Sequence, residues 1–324
     1  MSKISVAISD TVFPDWKPAE KVLEDLNVEL VRAESPEAKD VLEVGSSAEA
    51  LFVTYAKITS DVIDGLTNCK VIGRFGVGTD NIDIEAATAA GIVVTYAPLY
   101  CLDEVSDHAI TTLLSLARKI PFSNSLVQKG RWEMPAVVPI RRLKGRTLGL
   151  VGLGNIAQAV VGKAQAFGIK TIASDPYASD EVFSKMNTKK VSFEELLGQS
   201  DYISVHAPLT DETKNMFSTE EFSKMKNDAL LVNTSRGPLV DIDALVIALE
   251  KSQIGGAALD VLPQEPPEPN SPLFGRDDVI LTPHTGFYSE DALLDLQTTV
   301  ASDVASVLKG EKPRFPVNPE ALKE

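Results

Sequence analysis

One segment near the middle of the chain constrains the fold more than any other, because an apolar strand runs there into closely spaced glycines and then into a helix. Residues Thr147 to Leu153 are typical of a buried strand, and Ile156 to Phe167 have the apolar spacing of a helix. Gly152 and Gly154 lie between them, and the small residue Ala157 follows. This order predicts a strand, a tight turn and a helix of a parallel α/β sheet.

The residue types in this turn suit a dinucleotide. Gly152 permits the tight turn, Gly154 lets the backbone approach a pyrophosphate, and Ala157 allows close packing of helix on strand. The phosphates would then lie at the helix N-terminus, beside Asn155 and Ile156. A glycine pattern alone is a weak signal, but here a strand precedes it and a helix follows.

A second predicted strand, Lys170 to Asp175, ends in an acid about 20 residues past the glycines, where a ribose-binding carboxylate is expected. Asp175 would repel a 2′-phosphate, and Pro176 and Tyr177 follow it rather than an arginine. The sequence therefore favours NAD over NADP. The alternative for Asp175 is a solvated acid at a strand end.

Composition limits the class of protein. With 324 residues, 44% hydrophobic and 24% charged, the chain can form two globular domains, and its net charge of −15 argues against nucleic acid or an anionic membrane as partner. No stretch of about 18 apolar residues and no secretory core occurs, which predicts a cytoplasmic protein. The two cysteines, Cys69 and Cys101, are expected to be free thiols, and the three histidines show no metal motif.

Short strands alternate with helices before and after the central segment. Residues Lys3 to Tyr96 predict one parallel sheet, and the alternation resumes after Asp175 to predict a second. The fold class is thus α/β, with two Rossmann-like domains and parallel sheets. We expect one long helix from Asp103 to Ile120 that Pro121 ends, an irregular stretch from Phe122 to Arg146, and a loosely ordered tail from Glu311 to Glu324.

Three ionisable residues follow late predicted strands, namely Arg236, Glu265 and His284. Taken singly, each has an ordinary explanation: a surface charge, a loop acid beside prolines and a residue at a helix entry. Because open α/β sheets bind ligands at the carboxyl ends of their strands, they also form a candidate site together. Arginine can bind both oxygens of a carboxylate, histidine can give up a proton near neutral pH, and a carboxylate can orient that histidine. This set predicts a nicotinamide-dependent reaction on a 2-oxo acid.

Six blocks along the chain carry a resemblance to a known family. They are Arg74–Asp83, the glycine turn, His206–Thr210, Asn233–Gly237, Gly256–Asp260 and Thr282–His284. In this order they resemble the motifs of the D-isomer-specific 2-hydroxyacid dehydrogenases, over nearly the whole chain. The resemblance implies a cofactor domain, residues 103–284, inserted into a substrate domain made of residues 1–102 and 285–324. It also implies a homodimer through the cofactor domains.

The resemblance further implies a role for each matching residue. Arg236 would anchor the substrate carboxylate, His284 would donate the proton and Glu265 would pair with it, while the backbone N–H groups around Val77 and Gly78 would hold the carboxylate. Arg74 is either a further substrate contact or a surface ion-pair partner. Asp260 would face the nicotinamide carboxamide. The expected cofactor-binding set is Gly152, Gly154, Asn155, Ile156, Asp175, His206, Pro208, Thr234, Ser235, Asp260 and Gly286.

The substrate stays open among several 2-oxo acids, with the glyoxylate or hydroxypyruvate type expected. D-3-phosphoglycerate dehydrogenase is an alternative, although Thr54 lies about where such enzymes tend to carry a phosphate-binding arginine. The blocks Ala97–His108 and His284–Glu290 resemble the branch that contains the C-terminal-binding proteins. They raise an alternative of another class, a dinucleotide-sensing interaction protein.

Overall fold

The computed structural model describes residues 3–322 and divides the chain into two compact units. The first unit contains residues up to Cys101 and from Ser289 onward, and the second is Leu102–Tyr288. The expected boundaries were 102/103 and 284/285, so the second boundary lies four residues later than expected. Residues after His284 stay with the second unit because the carboxylate of Asp260 accepts hydrogen bonds from the backbone N–H groups of Thr285 and Gly286.

The first unit begins with five strands and four helices that alternate along the chain. They are β1 (Ile4–Ile8), α1 (Lys17–Leu23), β2 (Val28–Arg32), α2 (Ala38–Gly45), β3 (Ala50–Val53), α3 (Ser60–Gly65), β4 (Val71–Arg74), α4 (Ile84–Ala89) and β5 (Val93–Thr95). The strands form one parallel sheet in the order β2-β1-β3-β4-β5. This order reverses direction between β1 and β3, as in doubly wound folds.

The second unit contains seven strands and seven α-helices. They are α5 (Leu102–Ala117), α6 (Ile120–Gln128), β6 (Thr147–Val151), α7 (Asn155–Ala166), β7 (Lys170–Ser174), α8 (Asp180–Lys185), β8 (Lys189–Lys190), α9 (Phe193–Gln199), β9 (Tyr202–Val205), α10 (Thr219–Lys224), β10 (Leu230–Asn233), α11 (Ile242–Glu250), β11 (Gly256–Leu259) and β12 (Val279–Leu281). The parallel order is β12-β11-β10-β9-β6-β7-β8, with its reversal between β6 and β9.

Both faces of this second sheet are covered, which explains the continuous apolar runs in its strands. Leu148 and Leu150 of β6 pack into a core with Leu113 of α5 and Val160 of α7. Val151 belongs to a different core on the opposite face, which includes side chains from α9, α10 and α11. Alternate residues of one strand thus enter two cores.

The last helix, α12 (Glu290–Leu308), packs against α1 and β4 and so completes the first unit. Gly73 makes this close approach possible. A Cβ atom there would lie 2.7 Å from Cγ1 of Val300 and 2.7 Å from Cγ2 of Val304. The absence of a side chain at Gly73 therefore allows α12 to pack closely on the sheet.

The prediction of one long helix ended by Pro121 was wrong. Helix α5 ends at Ala117, Lys119 takes a left-handed conformation with φ 52°, and α6 begins at Ile120. Pro121 lies in the first turn of α6. Because a first-turn residue needs no N–H donor, proline starts this helix instead of ending the preceding one.

The described part of the tail is also better ordered than predicted. The buried carboxylate of Asp303 accepts hydrogen bonds from the backbone N–H groups of Arg314 and Phe315, both at 2.9 Å. The buried amide of Asn318 accepts from the N–H of Val94 and donates to the carbonyl of Ile92. The buried side chains of Asp303 and Asn318 therefore hold this segment in place by hydrogen bonds. Residues 323 and 324 lie outside the described part. No helix between residues 3 and 322 combines the length and apolarity that a membrane span requires.

Candidate active site

The residues predicted for the cofactor and for catalysis in the second unit lie at the carboxyl edge of its sheet. Six strands contribute, because β6, β7, β9, β10, β11 and β12 are parallel and their carboxyl ends meet at one edge. Their following loops hold the predicted positions from Gly152 to Gly286. The sheet reverses its order between β6 and β9, and such a reversal opens a crevice for a ligand.

The turn after β6 has the geometry that a pyrophosphate requires. Gly152 has φ +90°, and a Cβ atom there would lie 2.9 Å from the carbonyl oxygen of His206. Gly154 caps α7 and has open space where a side chain would be, whereas Ala157 is fully buried. Asn155 and Ile156 form the first turn of α7, so their N–H groups belong to its positive end. These residues fit a dinucleotide.

Asp175 follows β7 and is tied to backbone on both sides of its carboxylate. One oxygen accepts a hydrogen bond from the N–H of Leu153 at 2.7 Å, and the other accepts from Tyr177 at 2.8 Å and Ala178 at 3.0 Å. The carboxylate is therefore fixed beside the glycine turn.

His206 follows β9, and its Nε2 lies 2.8 Å from the hydroxyl oxygen of Ser204. Burial lowers the pKa of His206 to about 4, so the imidazole is neutral at physiological pH. Pro208 lies two residues further on and is exposed. His206 can contribute hydrogen bonds and packing to the crevice, but not a positive charge.

Acidification is expected to destabilise the protein through His206. An unfolded histidine takes up its proton near 6.5, whereas the folded side chain does so only near 4. Between these values the unfolded chain binds more protons, so this contribution to stability is complete above pH 6.5 and is lost as the pH falls toward 4. The loss is at most about 3.5 kcal/mol, since one pKa unit is worth about 1.4 kcal/mol.

Thermal denaturation at a series of pH values down to 4 checks this expectation. A His206→Gln variant keeps a polar group of similar reach but cannot take up the proton. It should lose less stability over the interval than the wild type, and equal losses in the two proteins would contradict the assignment to His206.

The turn after β10 carries Thr234, Ser235 and Arg236. Asn233 is buried and organises it, because its side-chain amide donates to the carbonyl of Arg236 at 2.8 Å and its oxygen accepts from the N–H of Ser235 at 3.0 Å. The hydroxyl of Ser235 donates to the carbonyl of Ala207 at 2.7 Å, which joins this turn to the one after β9. Nη1 of Arg236 donates to the carbonyl of Ser235 at 2.9 Å.

Gly237 joins this turn to the loop that follows β11. A Cβ atom at Gly237 would overlap the carbonyl group of Leu262 and the nitrogen of Pro263. Backbone therefore packs directly on backbone, between the turn that carries Arg236 and the loop that leads to Glu265. Only glycine allows this approach.

His284 and Glu265 form a direct pair, with Nδ1 2.7 Å from a carboxylate oxygen. The other oxygen of Glu265 accepts from the N–H of Leu262 at 2.9 Å. Partial burial works against the charged form of Glu265, but the hydrogen bonds from His284 and Leu262 and the charge of Arg236 outweigh it. Together they hold the pKa of Glu265 below its ordinary value. The carboxylate is charged at neutral pH.

Asp260 follows β11 and is 4% exposed. Its carboxylate accepts hydrogen bonds from the hydroxyl of Thr282 at 2.6 Å and from the N–H groups of Thr285 and Gly286 at 2.9 and 2.8 Å. Its carbonyl oxygen accepts from the N–H of His284 at 2.8 Å. Asp260 thus holds the loop on which His284 and Gly286 lie.

Three predicted substrate contacts belong to the first unit. Arg74 ends β4 and is 8% exposed, and its Nη1 donates to the carbonyl of Phe75 at 2.8 Å. Arg74 is therefore buried and does not lie on the surface. Val77 and Gly78 lie half-buried in the loop that follows. Burial also raises the pKa of Tyr100, so its phenol is protonated.

The contacts of three residues, Gly237, Thr282 and His108, were not predicted from the sequence. Gly237 belonged to a recognised block, yet its backbone contact with Leu262 was not expected. Thr282 and His108 form a hydrogen bond at 2.9 Å, although 174 positions separate them. The glycine directly after Arg236 could have indicated that another backbone segment packs closely there. No residue near His108 in the sequence indicates that its partner is Thr282.

Fold and site together define the second unit as a dinucleotide-binding domain of the doubly wound class. Within residues 3–322, no group of three or more His, Cys, Asp and Glu side chains could hold a metal ion. Sequence profiles agree with this class, because residues 110–286 match the NAD binding domain of the D-isomer specific 2-hydroxyacid dehydrogenases.

Named relatives cover most of the chain. A D-3-phosphoglycerate dehydrogenase of Methanocaldococcus jannaschii is 39% identical over 97% of this chain and 59% of its own length. A glyoxylate reductase of Thermofilum pendens is 40% identical over 82% of this chain and 80% of its own length. The crystal structure of an Aquifex aeolicus D-lactate dehydrogenase complexed with NAD and lactic acid has a TM-score of 0.87. It is 28% identical, with 95% of this chain and 96% of that one covered.

The chain belongs to the D-isomer specific 2-hydroxyacid dehydrogenase family, and its second unit is the NAD-binding domain of that family. It spans 50 to 59% of the length of the first three phosphoglycerate dehydrogenases that it matches.

Proposed function

We propose that this protein is an NAD-dependent D-2-hydroxyacid dehydrogenase that reduces a small 2-oxo acid of the glyoxylate or hydroxypyruvate type. The observation that carries the proposal is the 2.7 Å pair of His284 and Glu265, at the same sheet edge as Arg236 and the glycine turn. An acid, its orienting carboxylate and a cation are the groups that carbonyl reduction requires besides a hydride donor.

His284 is the proton donor in this proposal. Its Nδ1 bonds to Glu265, and its Nε2 is the nitrogen that would deliver a proton to the carbonyl oxygen of the substrate. Because Glu265 is charged at neutral pH, it stabilises the positive charge of the protonated imidazole. In the reverse direction the same pair removes the hydroxyl proton.

Arg236 anchors the substrate carboxylate and polarises the carbonyl. A planar guanidinium suits this task, because two N–H groups can face two oxygens at once. The buried amide of Asn233 holds the turn that carries it. Arg74 and the N–H groups near Val77 and Gly78 are proposed as further substrate contacts.

The glycine turn and the start of α7 would hold the pyrophosphate of NAD, with Gly152, Gly154, Asn155 and Ile156 as its contacts. Asp175 would bind the adenosine ribose, and the remaining contacts are His206, Pro208, Thr234, Ser235, Asp260 and Gly286. Bound NADH supplies the hydride for the reduction. The protein orients the substrate and excludes competing geometries.

The carboxyl end of β3 supports a substrate without phosphate. Thr54 is buried, and its hydroxyl donates to the carbonyl of Asp10. The carboxylate of Asp10 accepts from the N–H groups of Thr54, Tyr55 and Ala56. The carboxyl end of β3 thus carries the hydroxyl of Thr54 and the carboxylate of Asp10, whereas binding a phosphate would require a positively charged side chain. Similarity to phosphoglycerate dehydrogenases keeps that activity as the second candidate.

Oxidation of NADH against a panel of 2-oxo acids tests the proposal. The panel holds glyoxylate, hydroxypyruvate, pyruvate, a branched 2-oxo acid and phosphohydroxypyruvate. Turnover is expected to be fastest on glyoxylate or hydroxypyruvate, and preference for phosphohydroxypyruvate would favour the second candidate. Tight NADH binding without turnover on any acid would point instead to the dinucleotide-sensing interaction protein.

Replacing Asp175 with asparagine is expected to relax the preference for NADH. The variant keeps the size and one acceptor oxygen of the side chain but removes the charge that opposes a 2′-phosphate. The ratio of kcat/KM for NADH to that for NADPH should fall about tenfold, equivalent to about 1.4 kcal/mol. Steady-state kinetics with both cofactors measures this ratio; a rise in it would contradict the proposed role.

We also propose that the protein is a cytoplasmic homodimer that associates through its second unit. Three apolar side chains after α6 are largely exposed, namely Trp132 (88%), Met134 (72%) and Val138 (56%). Clustered exposed apolar residues mark interaction surfaces. A second copy is the occupant that the family resemblance implies.

A Trp132→Glu/Met134→Glu variant is expected to be monomeric, because each substitution places a charge in the proposed interface. Light scattering after size exclusion measures the mass. Tyr177→Glu is the matched control, since Tyr177 is equally exposed but lies beside β7. Loss of the dimer in the control as well, or a dimeric double variant, would contradict this interface.

A further inference from the structure

A partly buried chain of hydrogen bonds links α5 to the loop that carries His284. Nε2 of His108 lies 2.9 Å from the hydroxyl oxygen of Thr282, and that hydroxyl donates to the carboxylate of Asp260 at 2.6 Å. The same carboxylate accepts from the N–H groups of Thr285 and Gly286. Helix, strand end and loop therefore meet at one carboxylate.

The direction of each bond in this chain follows from the number of available protons. A carboxylate only accepts, so the single hydroxyl proton of Thr282 points to Asp260. The hydroxyl then has only a lone pair to offer His108. Nε2 of His108 must therefore carry a proton and donate it to Thr282.

The loop held by this chain has an uncommon backbone conformation at His284. His284 has φ 53°, in the left-handed region that few residues other than glycine adopt, although asparagine, aspartate and histidine do so more often than the others. Such a conformation persists only where the surroundings enforce it. Here Asp260 bonds the N–H groups of three successive residues, His284 through its carbonyl oxygen and Thr285 and Gly286 through its carboxylate.

Packing leaves little freedom for the carboxylate itself. A Cβ atom on Gly286 would lie 2.8 Å from one carboxylate oxygen of Asp260 and 3.5 Å from Cδ2 of His108. The absence of a side chain at Gly286 thus lets the loop approach both the carboxylate of Asp260 and the ring of His108. The hydrogen bond from Thr282 orients the carboxylate of Asp260 so that it can accept from the N–H groups of Thr285 and Gly286.

We propose that His108 and Thr282 are positioning residues for His284. Acting through Asp260, they hold the left-handed conformation from which Nδ1 of His284 reaches Glu265. This inference rests on the proposed function, in which His284 is the proton donor. His108 and Thr282 themselves touch neither substrate nor cofactor in this scheme.

Matched substitutions separate the hydrogen bonds from packing. Thr282→Val and His108→Leu remove one polar group each at similar size, whereas Thr282→Ser keeps the hydroxyl and His108→Gln keeps a donor at a similar reach. The first two should lower kcat at least about tenfold, because a small displacement of the loop that carries a proton donor costs this much or more. The last two should stay within about threefold of the wild type.

Combining Thr282→Val with His108→Leu should lower kcat hardly more than either substitution alone, because both interrupt the same chain of hydrogen bonds. Equal kcat values for Thr282→Val and Thr282→Ser would overturn the proposal. So would full additivity in the double variant, since independent packing defects add.

A spectroscopic readout keeps this test apart from the proposed activity. The chain has only three histidines, so 15N-histidine NMR resolves each imidazole. The wild type should show His108 protonated at Nε2, and a protected Nδ1–H of His284 bonded to Glu265. That His284 signal should disappear in Thr282→Val and survive in Thr282→Ser. Its survival in Thr282→Val would refute the positioning role, whether or not the protein turns over any 2-oxo acid.

Discussion

Replacing His284 with alanine is expected to lower kcat/KM for the preferred 2-oxo acid by about 10³-fold, which is the usual worth of a well-placed general acid. No other histidine can take over. His206 is neutral and bonded to Ser204, and His108 is bonded to Thr282. Steady-state kinetics with saturating NADH measures the loss.

Alanine at position 284 also has a backbone cost, because φ 53° is unfavourable for it. His284→Asn is therefore the better matched variant, since asparagine adopts the left-handed region readily but cannot donate the proton. It should be as inactive as His284→Ala while keeping a Tm closer to that of the wild type. Substantial activity in His284→Asn would show that the proton comes from elsewhere.

Replacing Glu265, the partner of His284, should lower activity less than replacing His284 itself. Glu265→Gln keeps the size of the side chain and can still bond to the imidazole, but it removes the charge that stabilises the protonated form. A loss between those of the wild type and His284→Asn is therefore expected. A loss greater than that of His284→Asn would assign Glu265 the larger role.

Replacing Gly237 with alanine is expected to have the largest effect on stability. The new methyl group would overlap backbone atoms of Leu262 and Pro263, which cannot rotate away as a flexible side chain could. Overpacking of this kind costs about 3 kcal/mol or more, and Tm should fall by roughly 6 to 12 °C. Activity should fall as well, because the methyl group separates the turn of Arg236 from the loop of Glu265.

Gly162→Ala provides a control of opposite sign. Gly162 lies exposed within α7, and a Cβ atom there has no neighbour within 4 Å. Alanine in such a helical position stabilises by up to about 1 kcal/mol. A Gly237→Ala protein that unfolds at the wild-type temperature, with unchanged kinetics, would contradict the importance of the backbone contact.

Local patterns predicted the order of strands and helices because burial on two faces leaves a continuous apolar run that is visible in sequence. β6 begins at Thr147 and β7 begins at Lys170, as predicted, and each ends one or two residues before its predicted limit. Helix α6 was not predicted, because its residues from Phe122 onward were expected to be irregular. The break at Lys119 was missed because a left-handed residue between two helices leaves little trace in apolar spacing.

The candidate site was predictable to the extent that strand ends identify it. Gly152, Asp175, Arg236, Glu265 and His284 were all found from their places after apolar runs, and parallel strands bring such places to one edge. What each residue contacts was not predictable in the same way. Asp260 was expected to face a cofactor, yet its hydrogen bonds hold the loop of His284.

The sequence by itself determined the fold class, the family and the residues available for chemistry, because these depend on patterns within a few neighbouring positions. Tertiary structure alone decided how those residues are held. The contact of Gly237 with Leu262, the hydrogen bond of His108 to Thr282 and the fastening of the tail by Asp303 all join distant segments. Such contacts depend on how the elements pack in three dimensions, and no local pattern encodes them.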